Sequence, residues 1–436
     1  MTPPLDVAAI GIGPFNLALA ALADEVPELS FRAYDRKPRF DWHPGLMFDW
    51  ATVQVSFLAD LVSLVRPTSR WSFLSYLADR DRLYPFYVAE RFHLPRREYA
   101  DYCGWAAERL PSCEFGTDVT ALRWSADRRM WTLTLDHAGV QSTQDARHVV
   151  LGVGTRPTLP AALHPLRGER VIHSADYLST VDDWRGVGHV AVVGSGQSGA
   201  EVFLDLVQRQ RSHGWAVSWL TRTATFAPLD YTKLVLEYTT PEYMRYFHGL
   251  APETRDRLVD RQWQLYKGID SETIDAIHAE LYAHLLDGDR PPVHLYPATA
   301  VSSATAAGAG VLLGCENADT TTHSVLAVDA VVAATGYRAD VPDLLDPVRD
   351  LIRWDDRGRY RIAVDHRIDT LPEVTGGLYV QNAELHTHGA AAPDLGIGAY
   401  RSATILNAVT GSEVFRLPKR TAFQTFGGVR SPGGAA

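Results

Sequence analysis

Two glycine clusters are the most chemically legible features of the chain: Gly11-Ile12-Gly13-Pro14-Phe15-Asn16 near its start and Gly194-Ser195-Gly196-Gln197-Ser198-Gly199 near its middle. Glycines at this spacing let a tight turn bring backbone N–H groups against a pyrophosphate, where a side chain would keep them away. Each cluster follows a short apolar run, Leu5 to Ile10 or His189 to Val193. Each precedes an apolar helical stretch, Leu17 to Ala23 or Ala200 to Gln208. A helix N-terminus after such a turn adds free amides and the positive end of the helix dipole. One match of this kind is weak, because a glycine-rich turn is often only a turn. Two in the same context predict two bound dinucleotides, and electron transfer between them makes a redox enzyme the first expectation.

The acidic residue expected on the first ribose lies about 20 residues after the turn, at the end of the next strand. Asp35, closing Phe31-Arg32-Ala33-Tyr34-Asp35, fits that place. After the second turn the strand Val217 to Leu220 ends in Thr221-Arg222-Thr223 instead. An arginine there can pair with a 2′-phosphate that an acid would repel, so Arg222 predicts NADPH as the second cofactor.

The elements that must position these turns follow from the rest of the chain. At 436 residues, 46% hydrophobic and 22% charged, it exceeds one ordinary domain and has a globular composition. The net charge of −10, with no basic stripe, argues against a nucleic-acid partner. The first strand begins by about residue 5, leaving no room for a signal peptide, and no apolar stretch approaches membrane-spanning length. A cytoplasmic location is therefore expected. Cys103, Cys113 and Cys315 form no CxxC pair, which argues against zinc and against a redox disulfide. We expect no bound metal.

The expected fold class is α/β, with two Rossmann-like dinucleotide-binding domains and a small, mostly helical insertion. Residues 1–165 and 375–426 are assigned to the first domain, 166–240 and 293–374 to the second, and 241–292 to the insertion. In the insertion Ile274, Ile277, Leu281 and Leu285 recur at helical spacing, and it is a candidate substrate lid. Residues 427–436 read as a disordered tail.

Several runs resemble the siderophore-biosynthesis N-hydroxylating monooxygenases, FAD- and NADPH-dependent enzymes acting on the terminal amine of ornithine, lysine or an aliphatic diamine. They are Gly11 to Leu17, Trp42-His43-Pro44-Gly45, Gln54-Val55-Ser56-Phe57-Leu58-Ala59-Asp60-Leu61 and Pro67 to Leu77. Gly194 to Glu201, Asp329 to Tyr337 and Asn382-Ala383-Glu384-Leu385-His386-Thr387-His388-Gly389 continue the resemblance, which covers about residues 5 to 420. It implies that Gly11, Gly13, Pro14, Phe15, Asn16 and Asp35 hold FAD, with Trp42, His43 and Gln54 along the flavin. It places Gly194, Gly196, Gln197, Ser198, Gly199 and Arg222 on NADPH, and Arg96 near the nicotinamide or flavin. Thr335 and Tyr337 fall at the hinge between domains, and Gly396 and Gly398 close to the flavin ring. The implied reaction runs through a C4a-hydroperoxyflavin, so no side chain is expected to act as the catalytic group. The partners implied are a small amine, O₂ and other copies of the chain in a homo-oligomer, a tetramer by resemblance.

The departure from the family pattern concerns the substrate. Ornithine hydroxylases of this family carry Phe-Leu-Lys-Asp-Leu where this chain has Phe57-Leu58-Ala59-Asp60-Leu61, and their lysine pairs with the substrate carboxylate. Ala59 cannot, and a buried carboxylate without its cation is costly. Cadaverine or putrescine, which have no carboxylate, are the expected substrates. Asp270 is a candidate for the far ammonium, or only the cap of the helix that follows. Lys267 could recruit a carboxylate, which keeps L-lysine as the alternative. Two further readings remain open. Gly168 to Ser174 loosely echoes other flavin monooxygenases but has one residue too many. A non-catalytic redox sensor would also bind two dinucleotides.

Overall fold

The computed structural model describes residues 3–288 and 290–428. Of the tail expected at 427–436, residues 429–436 lie outside the described residues.

The first unit is built on strand Leu5–Ile10, which pairs in parallel with Phe31–Asp35 on one side and Val140–Leu151 on the other. Cys113–Phe115 extends the sheet at one edge, and Met130–His137 and Thr117–Ser125 extend it antiparallel at the other. Leu378–Val380, from far along the chain, joins in parallel against Val149 to Leu151. Leu5–Ile10 reads as continuous apolar sequence because both faces are covered. Val7 and Ala9 enter one core with helices Pro14–Ala23, Arg96–Arg109 and Gly398–Thr410. Ala8 and Ile10 enter the core on the opposite face.

That opposite face corrects the expected domain boundary. Leu344, Leu345, Val348, Ile352, Ile362, Ile368 and Val374, assigned from sequence to the second domain, bury their side chains against the first sheet. The 3-10 segment Asp343–Leu351 covers strand Thr117–Ser125. The stretch is punctuated by Pro342, Pro347 and Gly358, and with no strand or helix period its partner could not be read.

The second unit is a five-stranded parallel sheet in the order Val171–His173, Ala330–Ala333, His189–Val193, Ala216–Leu220, Val293–Tyr296. Val190 and Val192 pack toward helix Gln197–His213. Ala191 and Val193 face an antiparallel sheet of Thr299–Ala307, Gly310–Asn317 and His323–Val328. The architecture is α/β with two Rossmann-like units and helical additions.

Helices Pro241–His248, Pro252–Arg261 and Ser271–Asp287 lie between the second sheet's fourth and fifth strands in sequence. Ile277 is buried, and Ile274 and Leu281 pack beside it, but Leu285 stays 76% exposed. The periodicity reports which face is apolar, not how far a packing partner extends along it. Among the described residues no helix is long and apolar enough to cross a membrane. The units are tied by Leu46, Phe48 and Ala51, which leave the first unit to enter the second core, and by the pairing of Arg156–Pro157 with Tyr337–Arg338.

Candidate active site

Both glycine turns are shaped for an anion. Gly11 has φ +88°, and a Cβ there would meet the Gly152 carbonyl oxygen at 2.4 Å. Gly194 has φ +115°, and its Cβ would meet the Ala334 carbonyl oxygen at 2.2 Å. The third glycine of the second turn, Gly199, abuts the Gly194 carbonyl oxygen, at 2.2 Å from an added Cβ. These contacts press the turns onto their own sheets. Gly13 differs, because apart from its own neighbours in the chain no atom of the described protein lies within 4 Å of a Cβ placed there. The helices starting at Pro14 and Gln197 have glycine N-caps and no side-chain cap, so their first amides are left for a ligand. Two open amide cradles, each at the C-terminal end of a strand with parallel neighbours on both sides, fit dinucleotide pyrophosphates.

The residues around the first turn divide into those that face outward and those that brace it. Asp35 accepts the Ile12 amide at 2.8 Å and the Lys37 amide at 2.8 Å, which fixes its carboxylate at the strand end with lone pairs to spare. Asn16, expected around the pyrophosphate, is buried behind the turn. Its Nδ2 donates to the Ile10 and Gly11 carbonyls and its Oδ1 accepts from Gln381. The side-chain amide is thus consumed in holding the turn. Phe15 lies under the guanidinium of Arg401, 4.1 Å from the ring centre, and beside Gly398.

At the second turn Arg222 is exposed and makes no ion pair among the described residues. Lys267 stands close by. Its ammonium is held below the usual lysine range by partial desolvation and by the charge of Arg222. Its backbone carbonyl lies 3.4 Å from a Cβ added to Gly196, and its Nζ is 5.2 Å from the Tyr266 ring centre. Lys267 therefore belongs to the second turn and does not line the cavity described next, which removes the ground for treating it as a substrate carboxylate anchor.

Between the turns lies a cavity of about 240 Å³. Trp42, His43, Gln54 and Arg96 contribute from the first unit, Gln197, Ser198 and Tyr337 from the second, and Leu229, Tyr231 and Tyr266 from the segment leading to helix Ser271–Asp287. Trp42 packs edge-on against His43 and tilted on Tyr99, both at 5.0 Å. Arg96 faces the cavity but is not a free cation. Its guanidinium donates to Glu201 at 2.9 and 2.5 Å and to the Leu46 carbonyl at 2.6 Å. Gln197 joins this pair to the other elements: it donates to Glu201 and Thr273 and accepts from Gln54 and the Asp270 amide. One network thus spans both units and the insertion. Asp270 accepts the Thr273 amide at 3.2 Å and caps helix Ser271–Asp287. It does not line the cavity, so the capping reading accounts for it.

Tyr337 contacts His173 at 5.0 Å and His43 at 6.0 Å at the crossing between units. The Thr335 hydroxyl is spent on the Thr158 carbonyl and stabilises that crossing. Ala59 is buried, with its Cβ 3.9 Å from a Cβ added to Gly396. The loop Ala390–Gly398 is fixed from beneath by Arg401, which donates to the Ala392 carbonyl and to Glu384, and helix Pro241–His248 packs Met244 onto Ala391 and Ile397. Asp394, Tyr231 and Glu201 were not singled out from sequence. Asp394 carried a usable signal, an acid two residues before a glycine expected at the flavin, whereas Tyr231 sits in an unpatterned loop.

Residues 3–339 match the family described as L-lysine 6-monooxygenase/L-ornithine 5-monooxygenase. A putrescine N-hydroxylase from Shewanella oneidensis is 41% identical over 97% of this chain and 84% of its own length. Another from Acinetobacter baumannii is 36% identical, covering 97% and 93%. Among solved structures, the FAD-bound cadaverine monooxygenase of the desferrioxamine biosynthetic pathway of Erwinia amylovora superimposes with a TM-score of 0.95 at 38% identity, covering 99% of this chain and all of that one.

Proposed function

The chain belongs to the L-lysine 6-monooxygenase/L-ornithine 5-monooxygenase family, and from that premise we propose that it hydroxylates a terminal amine of an aliphatic diamine, putrescine or cadaverine, for hydroxamate siderophore synthesis. The observation that carries the substrate class is the charge of the cavity wall. Among the described residues Arg96 is the permanent cation lining it and is already neutralised by Glu201, while Ala59 offers none. An amino-acid carboxylate would be desolvated there without a partner. The relatives named for diamines fit the same reading.

NADPH supplies a hydride and FAD the means of activating dioxygen, so that one oxygen atom enters an N–H bond of the amine and the other leaves as water. The chain's own part is to bind, orient and exclude water. The first turn, with Gly11, Gly13 and Asp35, holds FAD. The second, with Gly194, Gly196 and Gly199, holds NADPH, and Arg222 and Lys267 take its 2′-phosphate. Trp42, Gln54 and Tyr337 close the space between the cofactors. The reacting amine must lose its proton there, since a free amine with a pKa near 10.4 is almost wholly protonated at pH 7–8. Neutralising it costs about 3–4 kcal/mol unless desolvation lowers that pKa.

In this reading the protein works in the cytoplasm as a homo-oligomer, a tetramer by resemblance. The exposed Tyr84, Tyr87 and Val88 of helix Leu83–Ala89 support an assembled state, which light scattering tests. The catalytic reading is tested by NADPH oxidation: diamines should stimulate it and yield hydroxylamine in near-equal amount, and stimulation by every amine alike, without hydroxylamine, would refute it.

A further inference from the structure

Among the described residues lining the cavity, Asp394 is the one carboxylate. It lies between Pro393 and Leu395 in the loop that Arg401 fixes from beneath. Its Oδ1 accepts the Gly396 amide at 2.6 Å, and among the described residues Oδ2 has no hydrogen-bond or ion-pair partner. Two basic groups could have neutralised it, and both are engaged. Arg401 is paired with Glu384, and Arg96 with Glu201. Tyr231 lines the cavity close to Asp394 and keeps its hydroxyl proton, because burial and then the charge of Asp394 push its pKa up. The result is a carboxylate with one free oxygen, in a cavity that Tyr231 also lines and that, among the described residues, has no free Lys or Arg side chain.

We propose that Asp394 is the counter-ion for the distal ammonium of the substrate, the nitrogen that is not hydroxylated, and that it thereby selects diamines over monoamines and amino acids. The proposal rests on the diamine reading above. The choice of nitrogen follows from protonation. A carboxylate within about 4–6 Å of an ammonium favours its charged form and raises its pKa by about 1–3 units. Beside the reacting nitrogen that would oppose the loss of the proton on which reaction depends. Beside the other nitrogen it does only good, because that group stays charged throughout. Burial pushes the Asp394 carboxyl up to about 6, with the Gly396 amide and Arg401 pulling the other way. That is still far below an alkylamine near 10.4, so the proton stays on nitrogen and the pair is ionic.

The test compares kcat/KM for cadaverine and putrescine with that for n-pentylamine and n-butylamine, in the wild-type holoenzyme and in Asp394→Asn. Asparagine can keep the Gly396 hydrogen bond and removes only the charge. The variant should retain FAD and unchanged flavin reduction by NADPH, lose about 30-fold or more in kcat/KM for diamines mainly through KM, and change little for monoamines. Asp394→Glu, which keeps the charge but reaches further into the cavity, should move the preference from cadaverine toward putrescine. An unchanged diamine-to-monoamine ratio in Asp394→Asn, or an equal loss for both, would overturn the inference and leave Asp394 as a brace of its loop. Equilibrium titration of cadaverine into the NADP⁺-bound holoenzyme separates this from the functional reading. Binding that weakens in Asp394→Asn without hydroxylamine from the wild type would keep Asp394 and refute the reaction. Wild-type binding with no preference for diamine over monoamine would refute the Asp394 role.

Discussion

Arg222 and Lys267 bring two like charges close together beside the second turn. Neither makes an ion pair among the described residues, and desolvation and then the charge of Arg222 outweigh Asp260 in holding the Lys267 ammonium below its usual range. A dianionic 2′-phosphate would relieve that repulsion and form charge-assisted hydrogen bonds with both. Arg222→Ala should therefore raise KM for NADPH by roughly 10- to 150-fold, the equivalent of about 1.5–3 kcal/mol, while leaving KM for NADH nearly unchanged. Equal losses with both nucleotides would show that Arg222 supports the turn and not the phosphate. Arg222 was legible in sequence because it occupies a fixed place after a recognisable strand. Lys267 was legible as a residue but not its place beside the second turn, since only the fold brings its backbone against Gly196.

At the level of elements, the two turns separate folding from binding. Gly11→Ala would place a methyl group against the Gly152 carbonyl at positive φ, so both the strain and the clash fall on the protein itself. Gly13→Ala would meet nothing in the protein, and only the bound cofactor should feel it. We expect Gly11→Ala to lower the melting temperature of the apoprotein, and Gly13→Ala to leave it unchanged while weakening FAD retention at least tenfold. Full FAD occupancy in Gly13→Ala would move the pyrophosphate away from this turn. Strand, turn and helix were legible here because covered parallel strands read as apolar runs and the turns demand glycine. Residues 343–374 were not, because a segment without period gives no clue to the sheet it covers. Asn16 and Arg96 were found as positions, but what consumes their hydrogen bonds lies 365 residues away for Asn16, at Gln381, and 105 residues away for Arg96, at Glu201.

Across the whole molecule, buried histidines set the response to acid. His173, His366 and His388 are fully buried, and burial pulls each below the ordinary imidazole range. Below about pH 6.5 the unfolded chain takes up protons at these sites that the native state refuses, so stability falls as pH falls. Glu384 adds to the loss at lower pH. Burial opposes its ionisation, but the Arg401 guanidinium holds its carboxyl well below the usual range, and its stabilising contribution disappears as pH falls through and below that range. Asp394, raised to about 6, works in the opposite direction between about pH 6 and 4 but is a single group. The melting temperature should drop by several degrees between pH 7 and pH 5, and an equal or higher value at pH 5 would contradict this assignment. The central claim concerns which amine the assembled cavity accepts, and the most direct measurement is a competition. Purified holoenzyme with NADPH and O₂ receives equimolar putrescine, cadaverine, L-lysine and L-ornithine, and the hydroxylated products are quantified by mass spectrometry. N-hydroxylated diamines should exceed both hydroxylated amino acids by at least about tenfold; a product mixture dominated by N-hydroxylysine or N-hydroxyornithine would contradict the account.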